Sequence, residues 1–160
     1  MIKIYIAGSL FSEAEINQRI KEADMLRNLL ADANIRIEVF NPIEAPVNNK
    51  ATLPTSEDIF NADVAQLLTS DYVLADLTTL DMGVAMELGM IINREGRIFA
   101  HNSDIRLGNA NKYEGLRIPH GLNQFMMGGL YHHKHHVFTN SSDAVFALAE
   151  TILKKHGSTR

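Results

Sequence analysis

Cysteine is absent from the 160 residues, so this chain can build no disulfide framework, thiolate nucleophile or thiolate metal site. That composition fits a reducing compartment. A basic excess is missing as well: 15 Lys+Arg face 19 Asp+Glu, and a formal net charge of −4 offers no electrostatic footprint for a phosphate backbone. Nucleic acid is therefore not an expected partner. No apolar run approaches the roughly 20 residues that span a bilayer, and the opening 1–6 is too short for the apolar core of a secretory signal. No membrane partner and a cytoplasmic location are the expectation. Proline is scarce, with only four residues, and three of them fall within 42–54. What the chain does have is a hydrophobic share of 46%, enough for a real core at about the size of an ordinary domain, and we expect one domain over 1–160.

Ile2, Ile4 and Ile6 with Tyr5 make a β-rich run that stops at Ala7-Gly8-Ser9, which predicts an opening strand and a turn. Ser12 to Glu15 has the spacing of a capping box, and Ile16, Ile20, Ala23, Leu26 and Leu30 recur behind it at helical intervals. Ile35, Ile37 and Val39 alternate with charged residues as a second strand that ends at Asn41-Pro42, and a long loop follows to Pro54. A second helix starts at Thr55 and carries Phe60, Val64, Leu67 and Leu68, and 72–77 forms a third strand. The segment 82–93 is apolar on nearly every side except Glu87, so this helix is expected to be buried on more than one face. Residues 97–101 read as a fourth strand, 101–119 as a polar loop, 120–129 as a short helix or turn, and 136–139 as a fifth strand. Ser141-Ser142-Asp143 then caps a last helix with Val145, Leu148, Ile152 and Leu153 inward.

Strands and helices alternate throughout, which predicts the α/β class: a doubly wound, mainly parallel five-stranded sheet with helices on both faces. Ligands of such open sheets bind beyond the carboxyl ends of the strands. That edge singles out 7–11, with Gly8 and Phe11, the chain from Asn41 onward, 77–87, and the loop after Ala100.

Glu87 is the one ionisable group between Asp81 and Arg94. Either it marks the solvent strip of its helix, or it is a carboxylate held for chemistry. Gly83, one turn earlier on the same face, leaves open space above it and admits a ligand to contact distance. Asp81 stands where an N-cap belongs, and capping with one oxygen is compatible with ligand contact through the other. Asp63 lies between Ile59 and Leu67, on or beside an apolar stripe. Tyr5 can aim its hydroxyl at the same edge or serve as a satisfied core residue.

Other chemistries lack their patterns. The turn after the first strand has neither Gly-x-Gly-x-x-Gly nor the Walker spacing, so it offers no dinucleotide or triphosphate cradle. No Gly-x-Ser-x-Gly elbow exists. The cluster His132 to His136 holds Lys134 in its middle and reads as a solvated turn rather than a metal site.

Ile4 to Phe11, Asn61-Ala62-Asp63, the block Asp81-Met82-Gly83-Val84-Ala85-Met86-Glu87-Leu88-Gly89, and Gly121 to Met126 resemble, in order and separation, the nucleoside 2-deoxyribosyltransferase family. The Asp-x-Gly-x-x-x-Glu-x-Gly block is the most specific part. The resemblance implies a flavodoxin-like fold and exchange of the base of 2'-deoxynucleosides, with free nucleobases as co-substrates and no metal or organic cofactor. It implies Glu87 as nucleophile, Asp63 and Asp81 as groups that hold and protonate the base, and Tyr5 as the residue that positions the nucleophile. It also implies a homo-oligomer built from dimers, a tetramer or hexamer among the options, in which Asn123 reaches a neighbour's site. There Phe125, with Leu122, Met126 and Met127, could roof the sugar against water.

These residue types suit the chemistry. A carboxylate attacking the anomeric carbon gives a covalent deoxyribosyl-enzyme, and attack by a second base restores the configuration through two inversions. A raised-pKa Asp can hand the departing base its proton. The related 2'-deoxynucleoside 5'-phosphate N-hydrolases share the Gly-x-x-x-Glu spacing but tend to carry Ser where Asp81 stands, and a carboxylate there repels a phosphate dianion. A non-catalytic flavodoxin-like nucleotide-binding module is the reading of another class.

Overall fold

The computed structural model describes residues 1–46, 53–105 and 122–157, and its five strands form one sheet in the order β2-β1-β3-β4-β5. The strands are β1 (Ile2–Ala7), β2 (Ile37–Phe40), β3 (Tyr72–Asp76), β4 (Ile98–His101) and β5 (His136–Phe138). Between and after them run α1 (Glu13–Ala31), α2 (Ser56–Thr69), α3 (Met82–Ile91), α4 (Gln124–His132) and α5 (Ser141–His156). Every pairing is parallel. This is the flavodoxin-like strand order, and its switch point lies between β1 and β3.

The period of two along each strand sorts side chains onto two faces. Ile4, Ile6, Tyr72, Leu74 and Phe99 meet Leu26 and Leu30 of α1 and Val145, Leu148 and Ile152 of α5. Tyr5, Val73, Ala75, Ile98 and Ala100 turn the other way, toward Leu67 of α2, Val84, Leu88 and Ile91 of α3, and Met127 and Leu130 of α4. β3 is buried at every residue, as a central parallel strand covered on both sides must be.

Three helices turn differently from the reading of their composition. α3, expected to be buried on several faces, buries only the stripe Val84, Leu88 and Ile91, which is all one sheet face can cover; Met82 and Met86 are 85% and 56% exposed. In α2 the inward residue is Leu67, while Phe60 and Leu68 are close to half exposed. The inner line therefore runs Ile59-Asp63-Leu67, and this rotation brings Asp63 inward. In α1, Ile20 is exposed and the buried line is Arg19, Glu22, Ala23, Leu26 and Leu30.

Boundaries shift by smaller amounts. α4 lies a few residues beyond the expected 120–129, and Asn140 rather than Ser141 caps α5, accepting from the Asp143 amide. Parts of the expected loops 42–54 and 101–119, and of the tail, fall outside the described residues. None of the described helices is long and apolar enough to cross a membrane.

Candidate active site

Two turns at the carboxyl edge of the sheet, one on each side of the switch point, frame a cleft of about 500 Å³. The turn after β1 is shaped by the capping box of α1. Glu15 Oε2 accepts from the Ser12 amide at 2.7 Å and from the Phe11 amide at 3.1 Å. The turn after β3 passes through Leu80 at φ +53°, a conformation that costs a non-glycine residue on the order of 1 kcal/mol and is retained where surroundings enforce it. It delivers Asp81, whose Oδ1 accepts from the Val84 amide at 2.9 Å and caps α3.

On the floor, Tyr5 donates its hydroxyl to Glu87 Oε1 at 2.6 Å. The Tyr5 ring is stacked on Phe40 of the neighbouring strand, with centroids 5.4 Å apart and planes 25° from parallel. The phenol therefore has little freedom to leave the carboxylate. Glu87 lies not in bulk solvent but half-buried along the cleft wall. Burial is the main reason its pKa rises to about 7; the charges of Asp63 and Asp81 push the same way, and the Tyr5 hydrogen bond opposes them. Burial likewise raises Asp63 to about 6, and its buried Oδ1 has no hydrogen-bond partner. Burial, followed by the neighbouring Glu87, pushes the Tyr5 phenol up, so it stays a donor.

Two raised carboxyl groups in one cleft give a candidate nucleophile and a candidate proton donor. Tyr5 fixes one oxygen of Glu87 and leaves Oε2 for a ligand. Gly83 leaves the space expected of it and also shelters the cap, because a Cβ there would lie 2.9 Å from Asp81 Oδ1. Gly8 and Phe11 line the opposite wall, with Phe11 85% exposed at the mouth. The described lining holds Asp63, Asp81 and Glu87 and no cationic side chain.

Asn123 and Phe125 are not brought to this cleft within one chain. Asn123 Oδ1 accepts from the Phe125 and Met126 amides as the cap of α4, and the Phe125 side chain is 93% exposed. The chain from Asn41 onward, singled out at this edge, supplies Pro42, Ile43 and Pro54, which with Ile59 of α2 make an apolar wall that sequence reasoning did not name residue by residue. Its signal was the proline-bearing segment that follows β2 at the same edge.

Sequence reasoning missed a buried polar cluster on the α1 side of the sheet. Glu22 Oε1 accepts from Gln18, Arg19, His101 and Ser141, at 2.6–2.9 Å, and Oε2 accepts from Arg19 Nε at 2.7 Å. Because a carboxylate only accepts, His101 Nε2 carries the proton in that contact. Burial alone would raise the Glu22 pKa; the hydrogen bonds from His101 and Arg19 and the charge of Arg19 outweigh it and hold the group at about 2. Glu22, Asp76 and His101 offer donors within 4.8 Å of one another, the makings of a cation site, but the Arg19 guanidinium already supplies the positive charge. The signal was present in the sequence as titratable residues on a helix stripe and at the ends of two apolar strands.

The histidine run is more structural than the solvated turn expected. His135 is buried, accepting from the Ile98 amide at Nδ1 and bonding Ile92 O at 2.8 Å through Nε2, and His136 stacks on Phe99 at 4.4 Å.

Comparison with known proteins agrees with this fold. Over 162 aligned residues the chain is 29% identical to UU063, an uncharacterised protein of Ureaplasma parvum serovar 3, covering 89% of this chain and 90% of that one. The crystal structure of a conserved protein from Enterococcus faecalis V583 is similar with a TM-score of 0.70 at 28% identity, over 97% of this chain and 99% of the other. A 2-deoxyribosyltransferase from Bacillus psychrosaccharolyticus shares the fold with a TM-score of 0.60 at 19% identity, over 92% and 95% of the two chains. The model of the nucleoside 2-deoxyribosyltransferase family matches residues 4–141, most of the chain, and on that match the protein belongs to this family.

Proposed function

We propose that the chain exchanges the base of 2'-deoxynucleosides through a covalent deoxyribosyl intermediate on Glu87, with retention at the anomeric carbon. The observation that carries the reading is the 2.6 Å hydrogen bond from Tyr5 to Glu87 in a cleft shared with Asp63 and Asp81. Glu87 Oε2 attacks C1' from the face opposite the base. As the C1'–O bond forms, the C1'–N bond breaks, and its electron pair leaves with the base, which takes a proton from Asp63. An incoming base then attacks C1' from the vacated side, gives its own proton to Asp63, and returns Glu87 as a carboxylate. Asp81 hydrogen-bonds the base through Oδ2 while its Oδ1 remains the helix cap.

The chemistry needs Glu87 ionised and Asp63 protonated together; with Asp63 near 6 and Glu87 near 7 the one proton the pair holds between those values sits mainly on Glu87 in the empty cleft, so the reactive arrangement is a minor form that peaks between the two. We predict a bell-shaped pH profile of kcat/KM with limbs near 6 and 7. Asp63→Asn should remove the fall on the alkaline side and lower the plateau; a wild-type profile flat from pH 5 to 9 would contradict these assignments.

A water molecule entering the open cleft would hydrolyse the intermediate, so we infer that a second copy closes it, bringing Asn123 and Phe125 over the sugar. Asn123→Ser keeps the α4 cap but removes the side-chain amide. It should reduce exchange by about tenfold at an unchanged melting temperature. Gel filtration of a fully active monomer would defeat the shared site. The defining assay incubates the protein with a deoxynucleoside and a different free base. Exchanged nucleoside supports the proposal, free deoxyribose alone assigns a hydrolase, and no product leaves a binding module.

A further inference from the structure

Arg19 is fully buried yet lies outside the cleft, behind the turn that forms one of its walls. Its Nε and Nη2 are bound to Glu22, and Nη2 also bonds Asp76 Oδ2 at 2.7 Å. The third nitrogen, Nη1, has no partner and lies directly behind Gly8, where a Cβ would come within 2.3 Å of it and within 2.9 Å of the guanidinium carbon. The flat face of one side chain thus sets how far the turn after β1 can retreat. Gly8 is required there by this close approach, since its φ is not in the left-handed region.

The same guanidinium controls the opposite wall. Asp76, held by Arg19 through Oδ2, accepts the Thr78 amide through Oδ1 at 2.8 Å, and Thr78 Oγ1 accepts the Ser103 amide at 2.9 Å. Two residues later comes the strained Leu80, and then Asp81 and the helix that carries Glu87. A strained turn persists only when its surroundings over-determine it, and Asp76 supplies a side-chain anchor for it at the Thr78 amide beside the backbone bond from Leu80 to Leu77. Stability alone is a weak reason to bury such an ion-pair cluster, because apolar packing of similar volume commonly does as well.

We propose that Arg19 is a positioning residue for the reaction at Glu87, setting the distance between the Gly8 wall and the Asp81–Glu87 wall. The inference rests on the exchange reading given above. Displacing one wall by about 1 Å would spoil the approach of Glu87 to C1' more than it weakens binding.

Arg19→Lys keeps the positive charge but loses the planar fork that reaches Glu22, Asp76 and Gly8 together. Measured at a temperature where circular dichroism shows it folded, it should lose about tenfold to a hundredfold in kcat, with KM changed by less than about threefold. In Arg19→Ala, added guanidinium ion should restore part of the lost rate and urea, of similar shape but neutral, should not. Should these variants fail to fold, Asp76→Asn keeps an acceptor for Thr78 while weakening the tie to Arg19, and it should show the same loss confined to kcat. A normal kcat per folded molecule, with only a lower melting temperature, would overturn the proposal. If the wild type itself exchanges no base, the functional reading fails, and amide hydrogen exchange decides this inference on its own: faster exchange at Thr78 and across 77–83 in Arg19→Lys supports it, and an unchanged pattern refutes it.

Discussion

Glu87→Gln should reduce base exchange by about a thousandfold or more, while the melting temperature stays level or rises. The amide oxygen can still accept from Tyr5, so the hydrogen bond that closes the floor survives. What is lost is the negative oxygen that forms the bond to C1'. The stability half of the expectation follows from the direction of the pKa. An acid raised from its ordinary 4.5 to about 7 on folding is an anion the fold disfavours. Its destabilisation grows as pH rises from 4.5 toward 7, so removing the charge relieves it at neutral pH and above. Thermal melts at pH 8 and chromatographic exchange assays check the two halves separately. More than a few per cent of residual activity would remove Glu87 from the role of nucleophile. Mass spectrometry of wild-type protein quenched in turnover should show a sugar adduct on the peptide that contains residue 87.

Glu22→Ala should do the opposite, with a loss of about 3–5 kcal/mol of stability, which for a chain of this size lowers the melting temperature by roughly 6–20 °C. The substitution leaves Arg19 with Asp76 alone and strips His101, Ser141 and Gln18 of a common acceptor. α1, β4 and α5 are joined through that carboxylate, so the damage is not local. The pH signature is also inverted relative to Glu87. A carboxyl lowered from 4.5 to about 2 contributes stability that is fully present above 4.5 and disappears as pH falls toward 2. Acid unfolding of the wild type should therefore be steep below pH 4.5 and shallower in Glu22→Gln. A loss under about 1 kcal/mol in Glu22→Ala would show that the cluster is not what holds α1 to α5.

These two glutamates also show what the sequence made legible. Glu87 stood out because no other ionisable residue shares its helix, and the Asp-x-Gly-x-x-x-Glu spacing offered Asp81 as a cap, which its bond from the Val84 amide bears out. The parallel sheet with helices on both faces could be argued from alternation alone, because right-handed crossovers leave few topologies. Glu22 did not stand out. It sits in a charged, ordinary-looking helix where Ile16 and Ile20 offered a more obvious stripe, and its distant partners are His101 and Ser141, up to 119 positions away. Polar clusters of this kind are assembled by tertiary packing and leave no local period. Phe60 and Leu68 misled for the same reason: helical spacing says that two residues share a face, but not which face meets the sheet. Asn123 was read from resemblance as a ligand contact, and its cap on α4 emerged only from geometry.

The sheet ends on either side in short strands. β2 has four residues and runs directly into Asn41-Pro42, and β5 has three. A short edge that terminates in proline offers few free backbone groups in register, so a neighbouring chain gains little by adding its own strand there. Propagating β-ladders and the aggregation they seed are disfavoured at both borders. Several of the large apolar side chains left uncovered, among them Met82, Met86 and Phe125, lie instead on helices, a kind of surface whose burial against another molecule adds no strand to the sheet.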